Sequence, residues 1–133
     1  MRNLIFILLL TLPSLVYSQN WADDSSLDNI LNSKSAFGDD ESKIVVIEFW
    51  AKFNEANCFA EWDKINNAIY YRVDIAKAPT AKKKYKVRMA PTIILFKDGI
   101  KETVWKAGLD LELPTNLEEI QEAINETNKA SKF

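Results

Sequence analysis

Cys58 is the one thiol in the chain, and it follows the run Asn54-Glu55-Ala56-Asn57. A thiolate can attack a disulfide, bind a soft metal or be oxidised. Most of that chemistry needs partners that this sequence withholds. With one cysteine, neither an intramolecular disulfide nor a two-cysteine redox cycle can form within the chain. There is no histidine, so no His-dependent triad and no zinc site of the Cys/His type can be built. What remains is monothiol chemistry at Cys58: a mixed disulfide with a client or a small thiol. Its neighbours oppose that. Glu55 and Glu61 disfavour a thiolate, and Phe59 and Trp62 would desolvate it. A place in the first turn of a helix would work the other way, because the helix dipole lowers a thiol's pKa. Glu48 is the second chemical candidate. It lies inside an apolar run, where a carboxylate is costly unless paired or neutral. Lys64 and Lys97 are its candidate partners.

These side chains need elements to hold them. Ile44 to Trp50 is a nearly continuous run of β-branched and aromatic residues, which predicts a strand buried on both faces. Asn54 is placed to cap a following helix. Cys58, Trp62, Ile65 and Ile69 recur at i, i+4, i+7 and i+11, one face of such a helix. Residues 68–75 predict a second strand, 79–85 a short basic helix, and 91–97 a third strand. Asp98-Gly99 suits a two-residue hairpin turn into a returning strand over 101–107. Leu117 to Asn128 predicts an amphipathic helix with Leu117, Ile120 and Ile124 on one stripe. Upstream, Ser26 is placed to cap a short helix over Leu27 to Leu31. This order describes one α/β domain with a mixed sheet. The 133 residues, 47% apolar and 27% charged, suit one folded domain. The net charge of −2 excludes a strongly basic nucleic-acid binder as the default.

Residues 1–18 read as an export signal. Arg2 supplies the positive start, Leu4 to Leu10 the short apolar core, and Val16-Tyr17-Ser18 a site for cleavage before Gln19. The run is shorter than the ~20 residues a membrane span needs. The expected product is exported, periplasmic or secreted, with no stable membrane insertion after cleavage. Residues 19–42 form a polar segment with the short helix.

Several segments together resemble the thioredoxin family. Val46-Ile47-Glu48-Phe49-Trp50-Ala51 resembles the strand entering the family's active site, and Arg72-Val73-Asp74 the next strand. Tyr85 to Thr92 resembles the segment around the family's cis-proline. Leu95 to Gly99 resembles the hairpin after it, and Gly108 the glycine past the last strand. The resemblance implies a thioredoxin-like mixed sheet flanked by helices over residues 43–128, a cis bond before Pro91, and a tail over 129–133. It also exposes a departure. Where the family carries Trp-Cys-x-x-Cys, this chain reads Phe53-Asn54-Glu55-Ala56-Asn57-Cys58. Without a gap, Asn54 and Asn57 replace both cysteines. With a one-residue insertion, Cys58 takes the second position. The insertion keeps Cys58 and Trp62 inward, whereas the ungapped register points Glu61 and Lys64 inward, at a burial cost. The attacking cysteine is missing in both. Twenty-three residues lie between Trp50 and Asp74, short for the family, so the intervening helix is expected to be truncated.

The resemblance implies roles residue by residue. Glu48 matches the family's buried proton-relay acid, here without a dithiol to serve. Asn54, Glu55, Ala56 and Asn57 stand at the active-site positions. The backbone before Pro91 matches the place where the family pairs with an extended substrate, a strand addition that needs no cysteine. Trp50, Phe53, Met89, Ala90 and Pro91 would form that groove. The expected function is therefore an exported binding or scaffold module for an extended polypeptide, redox-inactive as a dithiol oxidoreductase. Monothiol exchange through Cys58 is the alternative, and a rigid subunit of a larger assembly a further one. Nothing in the sequence calls for a metal or an organic cofactor, and nucleic acid is not an expected partner. Lys82, Lys83, Lys84, Lys86 and Arg88 form a basic patch, which reads first as a solvated face and second as a site for an acidic partner or membrane surface. Asn125-Glu126-Thr127 matches a glycosylation sequon but falls on the closing helix.

Overall fold

A computed structural model describes residues 20–32 and 43–130. The expected export signal, its cleavage site before Gln19, much of the polar segment and the last three residues of the tail lie outside the described residues. The elements are β1 (Trp21–Ala22), α1 (Leu27–Asn32), β2 (Ile44–Trp50), β3 (Ile69–Asp74), α2 (Pro79–Lys84), β4 (Thr92–Lys97), β5 (Ile100–Lys106) and α3 (Leu117–Ala130). Two 3-10 segments, Lys52–Asn57 and Trp62–Lys64, join β2 to β3.

The five strands form one mixed sheet in the order β1-β3-β2-β4-β5. β1 and β2 run parallel to β3, while β4 runs antiparallel to both β2 and β5. β2 is central, and all seven of its residues are buried. Its side chains alternate between two cores, as the pleat requires. Val45, Ile47 and Phe49 pack with Leu27, Leu31, Ala81 and Phe96. Ile44 and Val46 pack on the other face with Phe59, Trp62, Ile120 and Ile124. Glu48 belongs to this second face by the same alternation. Each core therefore covers one side of a sheet whose central strand has no solvent face.

Local chemistry explains the turns. Asp98 and Gly99 both adopt positive φ, 52° and 83°, the geometry a type I′ hairpin demands. Gly99 also lies against α1, because a Cβ there would come within 2.9 Å of the Leu31 carbonyl oxygen. Ser26 is not the cap of α1. Asp23 fills that role: its Oδ1 accepts from the Ser26 amide at 2.9 Å, and its own amide donates to Ser26 Oγ at 3.0 Å, a reciprocal capping box. The N-terminus of α2 is capped from a distance, with the Asp24 carboxylate accepting from the Thr80 and Ala81 amides at 3.0 and 2.8 Å.

The helix expected after Asn54 does not form. Cys58 is extended, with φ −82° and ψ 156°, and the chain turns between the two 3-10 segments there. The spacing of Cys58 and Trp62 marks two inward side chains on an irregular segment, not a helical stripe. Ile69, the last of that spacing, begins β3 and is 42% exposed.

Candidate functional site

The C-terminal end of β2 delivers Glu48 and Trp50 to one face of the sheet, and the two 3-10 segments fold over them. Glu48 is fully buried. Its Oε1 accepts from Arg72 Nε at 2.7 Å and from Trp62 Nε1 at 3.4 Å. Its Oε2 accepts from the Phe59 amide at 2.7 Å. Arg72 stands opposite Glu48 in the parallel register and also donates to the Phe59 carbonyl at 2.6 Å. The expected lysine partners are therefore displaced. Lys64 is exposed and pairs with Glu61 at 3.2 Å, and the described ion pair of Glu48 is with Arg72. Arginine suits the position because its fork bonds a carboxylate and a carbonyl together. Burial pushes the Glu48 carboxyl above the ordinary carboxylate range, while Arg72 and the Phe59 amide pull the other way.

This network explains the missing helix. The Phe59 amide and carbonyl, which a helix would spend on its own turns, are used by Glu48 and Arg72. Fully burying the Phe59 side chain contributes about 1.5–3 kcal/mol to holding that arrangement.

Cys58 sits behind this layer with 8% exposure. Its thiol donates to the Asn54 carbonyl at 3.4 Å. Burial and then the Glu48 carboxylate push its pKa from 9.0 up to about 11, against smaller lowering by the Ala51 amide and Arg72. The residue closes the C-terminal end of the first 3-10 segment. The activating effect of a helix N-terminus is thus absent at Cys58. Glu55 and Ala56 are exposed on the same segment. Cys58 and Trp62 point inward while Glu61 and Lys64 are exposed, the pattern that the inserted register requires.

The two residues facing the dithiol positions in the ungapped register bond to each other. Asn57 Nδ2 donates to Asn54 Oδ1 at 2.8 Å. Asn54 Nδ2 donates to two carbonyls, Ala90 at 2.7 Å and Leu111 at 2.8 Å. Asn54 is buried, and each polar atom of its side chain is engaged. One amide therefore ties three loops together: the first 3-10 segment, the loop before Pro91, and the loop after β5. The Ala90–Pro91 peptide bond is cis. Ala90 and Pro91 are buried and Met89 is half-buried, with its carbonyl accepting from Thr92 Oγ1 at 2.6 Å.

The remaining groove residues separate. Trp50 is buried and meets Trp21 edge to face, with ring centroids 5.2 Å apart. Phe53 stands out from the surface at 75% exposure. Sequence reasoning missed Leu109, 91% exposed, on the loop that Asn54 anchors through Leu111. It also missed Arg72 as the partner of Glu48. The available signal was a lone arginine among the apolar and aromatic residues of the neighbouring strand, a cation that the acid inside the β2 run could pair. Among the described residues, no group of three or more His, Cys, Asp or Glu side chains could hold a metal, and no helix is long and apolar enough to cross a membrane.

The fold is shared with solved thioredoxins. A point mutant of the thioredoxin from Halobacterium salinarum matches with TM-score 0.60 at 15% identity, over 83% of this chain and 89% of that one. Schistosoma mansoni thioredoxin matches with TM-score 0.60 at 21% identity, over 80% and 92%. Fasciola hepatica thioredoxin matches with TM-score 0.56 at 19% identity, over 81% and 97%. In sequence, the chain is 38% identical to Thioredoxin-2 of Pyricularia oryzae over 65 residues, 44% of this chain, and spans 38% of that relative's length. The thioredoxin family model matches residues 28–126. With that match covering most of its length, the chain belongs to the thioredoxin family.

Proposed function

We propose that this chain is an exported thioredoxin-fold module that holds a polypeptide and does not perform dithiol exchange. The observation that carries this reading is the burial of Cys58, the single cysteine, whose thiol donates to the Asn54 carbonyl while Asn57 donates to the Asn54 side chain. In the loop before Pro91, Ala90 is buried and its carbonyl is engaged by Asn54. Pairing of an extended strand with that carbonyl would compete with an existing hydrogen bond. Apolar side chains are the better handles. Phe53 and Leu109 are exposed on the two loops that Asn54 joins, and an exposed aromatic and an exposed aliphatic on joined loops suit an unfolded, apolar client segment. Monothiol exchange at Cys58 would need a thiolate that both burial and Glu48 disfavour.

The test uses a permanently unfolded, carboxymethylated protein as client and an insulin-reduction assay beside it. The expected result is client binding that Phe53→Asp and Leu109→Asp each weaken, with no catalysed insulin reduction. Catalysed reduction that disappears in Cys58→Ser would overturn the reading, as would client binding that neither surface variant alters.

A further inference from the structure

We propose that a second surface, the basic groove between α2 and the turn after β3, docks an acidic polypeptide segment. The groove has a volume of about 550 Å³, with Ile75 and Val87 contributing to an apolar floor and Lys82, Lys83, Lys86 and Arg88 to a cationic rim. The groove is shallow and open to solvent, so it suits side chains laid along a surface more than an enclosed small molecule.

Three observations separate this surface from an ordinary solvated face. First, the rim cations are uncompensated: among the described residues none of the four has a salt-bridge partner. Lys84, their neighbour, turns away and pairs with Asp28 at 3.2 Å. Second, Lys86 is held at φ 55°, a conformation that glycine adopts without steric cost. It is the C′ residue of a Schellman ending to α2, in which the Val87 amide donates to the Lys82 carbonyl at 2.9 Å and the Lys86 amide to Lys83 at 3.2 Å. A lysine stands there, on the rim, where its backbone is strained. Third, charge is segregated along the chain. Residues 77–88 carry six basic and no acidic side chains, leaving 11 basic against 19 acidic elsewhere, a net of −8.

Groove size and chemistry select the partner. A groove of this size, with apolar residues between its cations, admits a few side chains of a polypeptide. Carboxylates of a short acidic segment complement the cationic rim. The apolar floor asks for an aliphatic residue between its carboxylates. This surface is independent of Phe53 and Leu109, so its failure and that of the client surface are separately visible.

The experiment titrates the full chain into a fluorescein-labelled nonapeptide of alternating glutamate and leucine and follows anisotropy at low and high salt. Binding is expected to weaken as salt rises. The double variant Lys82→Glu/Lys86→Glu is expected to weaken it at least about tenfold, equivalent to about 1.4 kcal/mol. Lys84→Glu, off the groove, is expected to change it less than about twofold. Lys86→Gly separates binding from folding: it is expected to raise the melting temperature by relieving the positive φ, yet still weaken the peptide. Unchanged affinity in the double variant would overturn the proposal. So would tighter binding of a thymidine oligonucleotide or phosphatidylserine vesicles than of the peptide at the same salt.

Discussion

The side-chain amide of Asn54 donates to the Ala90 carbonyl at 2.7 Å, joining the first 3-10 segment to the loop before Pro91. A side chain expected at an active-site position thus serves as a structural bridge. Its second donor reaches Leu111 and its oxygen accepts from Asn57, so both side-chain donors and the oxygen are engaged within the protein.

Removing that bridge should cost stability. Asn54→Ala leaves the Ala90 and Leu111 carbonyls without their donor, and the expected loss is about 2–3 kcal/mol. Asn54→Asp sets a carboxylate against two carbonyl oxygens and is expected to cost more. Urea unfolding followed by tryptophan fluorescence measures both. A loss below about 0.5 kcal/mol for Asn54→Ala would show that the bridge holds nothing in place.

The Glu48–Arg72 pair predicts strong non-additivity. Arg72→Met leaves a buried carboxylate without its cation and is expected to cost about 3–5 kcal/mol. Glu48→Leu combined with Arg72→Met is expected to recover much of that loss, because no charge is then stranded. The single variant should also be pH-sensitive. A carboxyl whose folded pKa is raised favours folding below its unfolded pKa, and that benefit is lost as pH rises through the folded value. The penalty of Arg72→Met is therefore expected to shrink as pH falls from about 7 toward about 4, measured by unfolding at each pH. A penalty independent of pH would show that Glu48 does not change its protonation state over this range.

Much of the fold is legible because local and tertiary preferences agree there. The apolar run of β2, the Asp98-Gly99 turn and the Ile120/Ile124 stripe of α3 each favour one structure, and each forms. Between Asn54 and Lys64 they disagree. The spacing of Cys58 and Trp62 favours a helix, but Glu48 and Arg72, distant in sequence, take the Phe59 amide and carbonyl that the helix would need. The Asn54 bridge was illegible for a related reason. Both carbonyls it reaches belong to other loops, at sequence separations of 36 and 57 residues. Nothing in the spacing of Asn54 and Asn57 marks either contact.

Cys58 predicts an alkaline signature. Its thiol ionises near 9.0 ordinarily and at about 11 in the folded chain. Between those values the unfolded chain has already released the proton, so stability falls as pH rises through that window. Subtracting the profile of Cys58→Ala isolates the effect from lysine and tyrosine titration. The difference is expected to favour the parent protein less and less from about pH 9 to about pH 11. A flat difference would show that burial does not hold the proton on the sulfur.

The most direct measurement is the alkylation rate of Cys58 in the folded protein, from about pH 4 to about pH 10, against the unfolded chain, whose thiol titrates near 9.0. A thiol at about 11 is ionised about one part in a thousand at pH 8, so the folded rate should fall at least about a hundredfold below the unfolded one. It should stay below it at every pH. A folded rate equal to or above that of the unfolded chain, with an apparent pKa below about 8, would contradict the account and mark Cys58 as an accessible thiolate.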